Sequence, residues 1–312
     1  MAFTAFREMK PFPQLIFSAF VILACFLLFV IISLTVAIPL FGFESVINIQ
    51  SLTDFNDPVS IKMLKYFQVV QSFGLFILPP IILGWLFRGK VTEYLHLNKT
   101  FILSSVFVVI VLMICSSPLI NFLGEINANM KLPNCMSAVE QWMKATEESA
   151  TKLIEAFLNV KTTAGLLFNL FMIAALPAIG EEFLFRGVIQ RIFTQWTRNI
   201  HWGIWISAAL FSALHMQFYG FIPRMLLGAM FGYLLVWSGS LWIPIIAHFI
   251  NNGVAVVGIH YINQGKISPS VKDIGSTADS YYLAAISFVF VVILLMLFKR
   301  QNSERSLKPN EF

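Results

Sequence analysis

The sequence predicts an all-α protein, a polytopic bundle of transmembrane helices with one amphipathic helix outside the bilayer. Three observations predict it. Hydrophobic residues make up 58% of the 312 positions and charged residues only 12%, against about 25% charged in soluble domains. Mean hydropathy is +0.78, and long apolar runs recur along the whole chain. So few charges cannot cover the surface of a water-soluble protein of this size, which sets aside a soluble globular enzyme.

A membrane helix needs about 20 mostly apolar residues. Runs near 15–41, 66–87, 101–123, 164–192, 202–218, 221–237, 241–259 and 281–298 give about eight expected spans. The first and last carry no charge. The first is too long for a signal-peptide core of about 7–15 residues, and no small-residue cleavage site follows it. The spans between 202 and 259 are shorter and punctuated by Gly and Pro.

Orientation follows from Lys and Arg in short flanks. Arg7 and Lys10 precede the first span; Arg88, Lys90 and Lys99 follow the second; Arg191 and Arg198 follow the fourth; Lys299 and Arg300 follow the last. With eight spans these flanks fall on one side, so both termini are expected in the cytoplasm. No organelle signal is recognisable, and the expected location is the plasma membrane of a prokaryote. The net charge of +5 reflects the flank bias, so the lipid bilayer is an expected partner and nucleic acid is not. Cys25 and Cys115 sit in apolar runs and read as small hydrophobes, and Cys135 stands alone in a loop. Such spacing supports neither a disulfide framework nor a zinc site.

Four regions are expected. Residues 1–123 form an N-terminal transmembrane scaffold, whose spans carry no Asp, Glu, Lys, Arg or His. Residues 124–163 form a polar loop with an amphipathic helix near 137–159. Ser137 and Glu140 have capping-box spacing. Val139, Trp142, Met143, Ala150, Leu153, Ile154, Phe157 and Leu158 recur at helical intervals. Glu140–Lys144 and Glu148–Lys152 are i,i+4 pairs. This helix is expected outside the bilayer or on its outer surface, as a connector packed on the bundle or as a shield over an entrance. Residues 164–259 form a membrane core with ionisable groups, which are functional candidates by default. Residues 260–312 hold the last span and a polar tail, expected to be mobile from Lys299 on.

Chemistry-bearing residues cluster in that core. Glu181 and Glu182 are adjacent and Arg186 follows. On a helix Glu182 and Arg186 share a face, whereas Glu181 points about 100° away. Burial disfavours an unpaired carboxylate ion and pairing with arginine favours it. Glu182 is therefore expected to be structural and ionised, and Glu181 to be the general base or acid. Phe211 and His215 are i,i+4; taken alone, such a histidine is a packing residue. His248 and Asn252 are also i,i+4, so both can point into one cavity as donors to an oxyanion, or clasp a neighbouring helix.

Depth arithmetic allows the clusters to converge. From a turn between about 194 and 201, Glu181 lies roughly 20 Å back and His215 roughly 21 Å forward. From a helix start near Leu241, Asn252 lies roughly 17 Å in and His248 roughly 11 Å.

The ordered set E-E-x-x-x-R (Glu181 to Arg186), F-x-x-x-H (Phe211 to His215) and H-x-x-x-N (His248 to Asn252), with Phe185-Arg186-Gly187, resembles the CPBP family. These are the CAAX-protease and bacteriocin-processing proteins, also called Abi, which include the Ras-converting CAAX endoprotease. The resemblance implies an intramembrane glutamic endopeptidase, a hydrolase without a cofactor that acts on a peptide or protein substrate at the membrane. It implies that Glu181 and His215 activate water, that His248 and Asn252 form the oxyanion hole, and that Glu182 and Arg186 support the helix that carries Glu181. Two other readings compete. One is a zinc protease with His215, His248 and a glutamate as ligands, although its common H-E-x-x-H helix is absent. The other is a non-catalytic immunity, transport or scaffold protein, for which broken helices and midplane polar groups also speak.

Overall fold

The computed structural model describes residues 4–47, 54, 55 and 57–312. Those residues are helical with short connections and contain no strand. The longer helices are α1 (Pro11–Phe41), α2 (Pro58–Arg88), α3 (Leu103–Ala128), α4 (Ser137–Leu158), α5 (Thr163–Thr197), α6 (Ile200–Leu214), α7 (Phe221–Ser238), α8 (Trp242–Asn263) and α9 (Tyr281–Gln301). Among the described residues seven helical stretches are long and apolar enough to cross a membrane, and the 15-residue α6 is a shorter apolar helix beside them. The chain is therefore an integral, multi-pass membrane protein. Its outer faces agree: Ile16, Phe20, Leu23 and Ile31 of α1, and Phe288, Phe290 and Met296 of α9, stand exposed. A contiguous apolar belt of this size suits lipid rather than water.

The ends of these helices have local causes. Asp57 caps α2, its carboxylate accepting from the backbone N–H of Val59 and Ser60 at 3.2 and 3.0 Å, with Pro58 next in line. The helix thus starts eight residues before the expected span at 66 and takes in Lys65, so the scaffold spans are not free of ionisable groups. Lys65 Nζ donates to the Phe157 carbonyl and to Asn169 Oδ1, both at 2.9 Å. Asn169 Nδ2 donates to the same carbonyl at 2.8 Å. This places a cation on the C-terminal carbonyls of α4, where the helix dipole and the unpaired C=O groups favour it.

Helix α4 has both expected ion pairs, Glu140–Lys144 and Glu148–Lys152, each at 2.7 Å. The capping box is not formed. A short turn over Asn134–Met136 feeds the helix, Met136 occupies the cap position and Ser137 is already helical. The polar tail is not loose either. Leu307 N–H donates to the Val236 carbonyl at 2.8 Å, and the Leu307 and Phe312 side chains are buried with Leu95, Ile192, Val236 and Leu241. Two apolar residues in a polar segment are enough to fold it back once an apolar recess is available.

Helix α5 is the irregular element. Regular turns alternate with wider π-helical stretches at Leu170–Ala175 and Phe183–Ile189, either side of Leu176–Glu182. Pro177 has no N–H for the carbonyl four residues back, which is Ile173. Asn252 Nδ2 from α8 donates to that freed carbonyl at 3.1 Å, the kind of side-chain repair a lipid-embedded helix break requires. Gly180 lets α5 close onto α2, since a Cβ there would lie 2.7 Å from Phe76 Cβ. Helix α3 packs along α9, held by Ser287 Oγ donating to the Cys115 carbonyl at 2.5 Å and Asn302 Nδ2 to Ser105 Oγ at 2.9 Å.

Candidate active site

A cavity of about 590 Å³ opens between α4, α5, α6, α7 and α8, and Glu181, His215, His248 and Asn252 all line it. Most of the remaining wall is apolar, including Leu153, Ile154 and Phe157 from the inward face of α4. A few convergent polar groups in an otherwise apolar cleft are the usual make-up of a ligand site.

Glu182 and Arg186 form the buried foundation. Arg186 Nη1 is 2.9 Å from Glu182 Oε1, with side-chain exposures of 1% and 0%. Arg186 Nη2 donates to the Gly228 carbonyl at 2.9 Å, and the guanidinium lies over the Phe211 and Phe231 rings at 4.7 and 5.4 Å. Gly228 matters to this approach: a Cβ there would meet Arg186 Nη2 at 3.2 Å and Ala208 Cα at 3.3 Å. An ion pair this dry leans on further hydrogen bonds, and Arg186 has one beyond Glu182 in the Gly228 carbonyl.

The same Glu182 Oε1 accepts from His248 Nδ1 at 2.8 Å. A carboxylate oxygen can only accept, so His248 carries its proton on Nδ1 and Nε2 is the ring nitrogen left for the cavity. That Nε2 is 3.8 Å from Glu181 Oε2, longer than a direct hydrogen bond. The His248 ring stacks on Phe231 at 5.2 Å and meets Phe211 edge-on at 6.1 Å, so its plane is fixed by packing as well as by Glu182.

His215 follows the last turn of α6, which stops at Leu214 rather than running on to 218. Met216 turns the chain with φ of 55°. His215 Nδ1 donates to the Phe211 carbonyl at 2.7 Å, which leaves Nε2 as a lone-pair acceptor in the neutral ring. Asn252 has one amide N–H on the Ile173 carbonyl, and its Oδ1 accepts from Asn251 Nδ2 at 3.1 Å. A carboxamide has two donors, so one remains for a ligand.

The structure therefore places two histidines with opposite local settings in one cavity, one anchored by a carboxylate and one by a backbone carbonyl. His248, rather than His215, is the histidine whose ring nitrogen lies next to Glu181. Arg224 of α7 also lines the cavity and was not singled out from the sequence, although an arginine inside an apolar helix carries its own flag. Its guanidinium donates to Gln217 O and Oε1 at 3.2 and 3.0 Å. Among the described residues no three His, Cys, Asp or Glu side chains come together in a group able to hold a metal ion.

Comparison with known proteins points to the same stretch of chain. Residues 163–254 match the family model described as type II CAAX prenyl endopeptidase Rce1-like. Over 97 residues the chain is 31% identical to the "Uncharacterized protein YpbD" of Bacillus subtilis (strain 168), covering 30% of this chain and 47% of that protein. The chain thus spans about half the length of this curated relative. No solved structure matches. The matched segment runs from the start of α5 into α8 and includes Glu181, His215, His248 and Asn252. At family level the match supports a CAAX-type protease relationship for this segment.

Proposed function

We propose that the chain is an intramembrane endopeptidase that hydrolyses peptide bonds with water activated at Glu181 and His215. The observation that carries this reading is the convergence of Glu181, His215, His248 and Asn252 on one cavity, above a buried Glu182–Arg186 pair. Water attacks the scissile carbonyl carbon while its proton passes to Glu181 or to the free Nε2 of His215, and that proton then goes to the leaving nitrogen. Negative charge develops on the carbonyl oxygen. His248 meets it from Nε2 and Asn252 from its remaining N–H. Because Nδ1–H of His248 is committed to Glu182, donation from Nε2 requires a second proton on the ring. The separation of 3.8 Å between Glu181 and His248 leaves room for a water or substrate oxygen beside them to bond to both. In this mechanism no step needs a metal.

The test compares membrane-peptide proteomes of cells expressing wild-type protein and Glu181→Gln. A set of membrane-peptide cleavages present with wild type and absent with the folded variant is the expected result; cleavage that persists in Glu181→Gln removes the mechanism. With a peptide identified in this way, purified protein stripped of metal should retain activity. Loss on stripping, reversed by added zinc, would establish the zinc reading instead.

A further inference from the structure

Away from the cavity just described, a second cavity of about 330 Å³ lies at the ends of three spans and is lined by Arg7, Arg88 and Arg191, with Tyr94, Gln14 and Glu93. Its volume is at the lower end of small-ligand clefts, about 300–1,000 Å³. Arg7 stands before α1, Arg88 ends α2, and Arg191 lies in the last turns of α5, so the cavity sits on the side of the bundle that carries the basic flanks.

The charges are unbalanced. Glu93 is the acid in the wall, and it is bound by Lys90 at 2.7 Å. None of the three arginines has a carboxylate partner among the described residues. Arg7 is pressed over the backbone of Gly89, next to Arg88: a Cβ at Gly89 would lie 2.6 Å from Arg7 Nη2.

Unused donors point the same way. Arg191 is 2% exposed and Tyr94 3%, yet Arg191 Nε and the Tyr94 hydroxyl have no hydrogen-bond partner among the described residues. Arg191 is held in place by the Tyr94 carbonyl, by His96 Nε2 at 2.8 Å, and by the Tyr94 ring 4.5 Å from its guanidinium carbon. Buried polar groups are normally satisfied, and the two residues that carry these orphan donors both belong to the wall of the basic cavity. A cavity of this kind at the ends of membrane spans meets phosphate on lipids first.

We infer that this cavity binds the phosphate of an anionic phospholipid headgroup, with Arg7 and Arg88 gripping it from the rim and Arg191 and Tyr94 from within. The flank cations that orient the spans thereby also hold a specific lipid.

The full-length protein in neutral detergent is titrated with dihexanoyl phosphatidic acid, dihexanoyl phosphatidylcholine and inorganic phosphate, and binding is followed by calorimetry. The phosphatidic acid should bind and the zwitterionic lipid should not. Replacing both rim arginines (Arg7→Gln with Arg88→Gln) should weaken binding about 30-fold, at about 1 kcal/mol per cation near the surface. Tyr94→Phe removes only a hydroxyl that has no partner in the protein, so it should leave the unfolding midpoint unchanged and weaken binding about 5-fold. Lys299→Gln with Arg300→Gln, at another basic flank, should bind as wild type does. Absent binding of phosphatidic acid, equal binding by the rim variant, or equal weakening by the Lys299 and Arg300 control would overturn the site. Inorganic phosphate binding as tightly as phosphatidic acid would overturn the lipid and leave a soluble phosphate as ligand. None of these readouts depends on proteolysis.

Discussion

The two adjacent glutamates should respond to the same substitution in opposite ways. Glu182 uses one oxygen, Oε1, for both Arg186 at 2.9 Å and His248 at 2.8 Å, while its Oε2 is buried without a partner. Glu182→Gln can keep both contacts through its carbonyl oxygen. The Arg186 contact loses its ion-pair attraction while keeping a charged donor, and the His248 contact loses its charged acceptor, a loss of about 1 kcal/mol apiece. The new NH2 takes the place of Oε2, and a buried donor without an acceptor costs about 1–3 kcal/mol. The sum, about 3–5 kcal/mol, equals what removing one partner of a buried ion pair usually costs. Among the described residues Glu181 has no hydrogen-bond partner, and His248 Nε2 stands 3.8 Å from its Oε2. Glu181→Gln should therefore change stability by less than about 1 kcal/mol while abolishing turnover. The assay is equilibrium unfolding in mixed micelles of the wild type and both variants, with cleavage measured on the same preparations. Equal destabilisation by the two substitutions, or a Glu182→Gln protein as stable as wild type, would refute the division between a structural and a reacting carboxylate.

Further outcomes are expected. Asn252→Ala should lower kcat by about 100–1,000-fold with little change in KM, and cost about 1 kcal/mol of stability by stranding the Ile173 carbonyl. Pro177→Ala restores the N–H that carbonyl lacks, so in a double-mutant unfolding cycle it should cancel most of that stability loss. His215→Asn retains a donor for the Phe211 carbonyl but no ring Nε2, so it should fold normally and lose about 100–10,000-fold in kcat/KM. His96, in the connection after α2, is pushed down to about 3 by burial and by the Arg191, Lys99 and Arg88 charges. Its folded-state value lies below the ordinary 6.5, so its contribution is complete above pH 6.5 and lost as pH falls toward 3. The fall in unfolding free energy between pH 7 and 4 should accordingly be smaller in His96→Gln than in wild type. Reporter fusions after Lys90 and at the C-terminus should read cytoplasmic, and one near Cys135 external; a cytoplasmic signal at Cys135 would reverse the orientation drawn from the basic flanks.

Much of this protein is written in local sequence. Apolar run length determines which segments are helices fit for a bilayer, because lipid offers no partner for an unpaired backbone group and the run must satisfy its own. Helical spacing alone put Glu182 with Arg186 and turned Glu181 away, because i,i+4 geometry within one helix needs no tertiary information. Pro177 likewise names Ile173 as the carbonyl left without a donor. What the sequence could not decide is what comes to meet these groups from elsewhere in the chain. That Asn252 answers Ile173, that His248 takes the second share of Glu182 Oε1, and that Lys65 reaches the end of α4 and Asn169 are contacts between residues 66 to 104 positions apart. They depend on the rotation of each helix about its own axis. A helix that is apolar nearly all round carries no amphipathic stripe to fix that rotation, so it is set by close packing at points such as Gly180 and Gly228 and by the few buried polar groups that must find partners. The capping box and the loose tail failed for the same reason: a local pattern decides only when no tertiary contact outweighs it, and here the turn before Ser137 and the recess for Leu307 and Phe312 did.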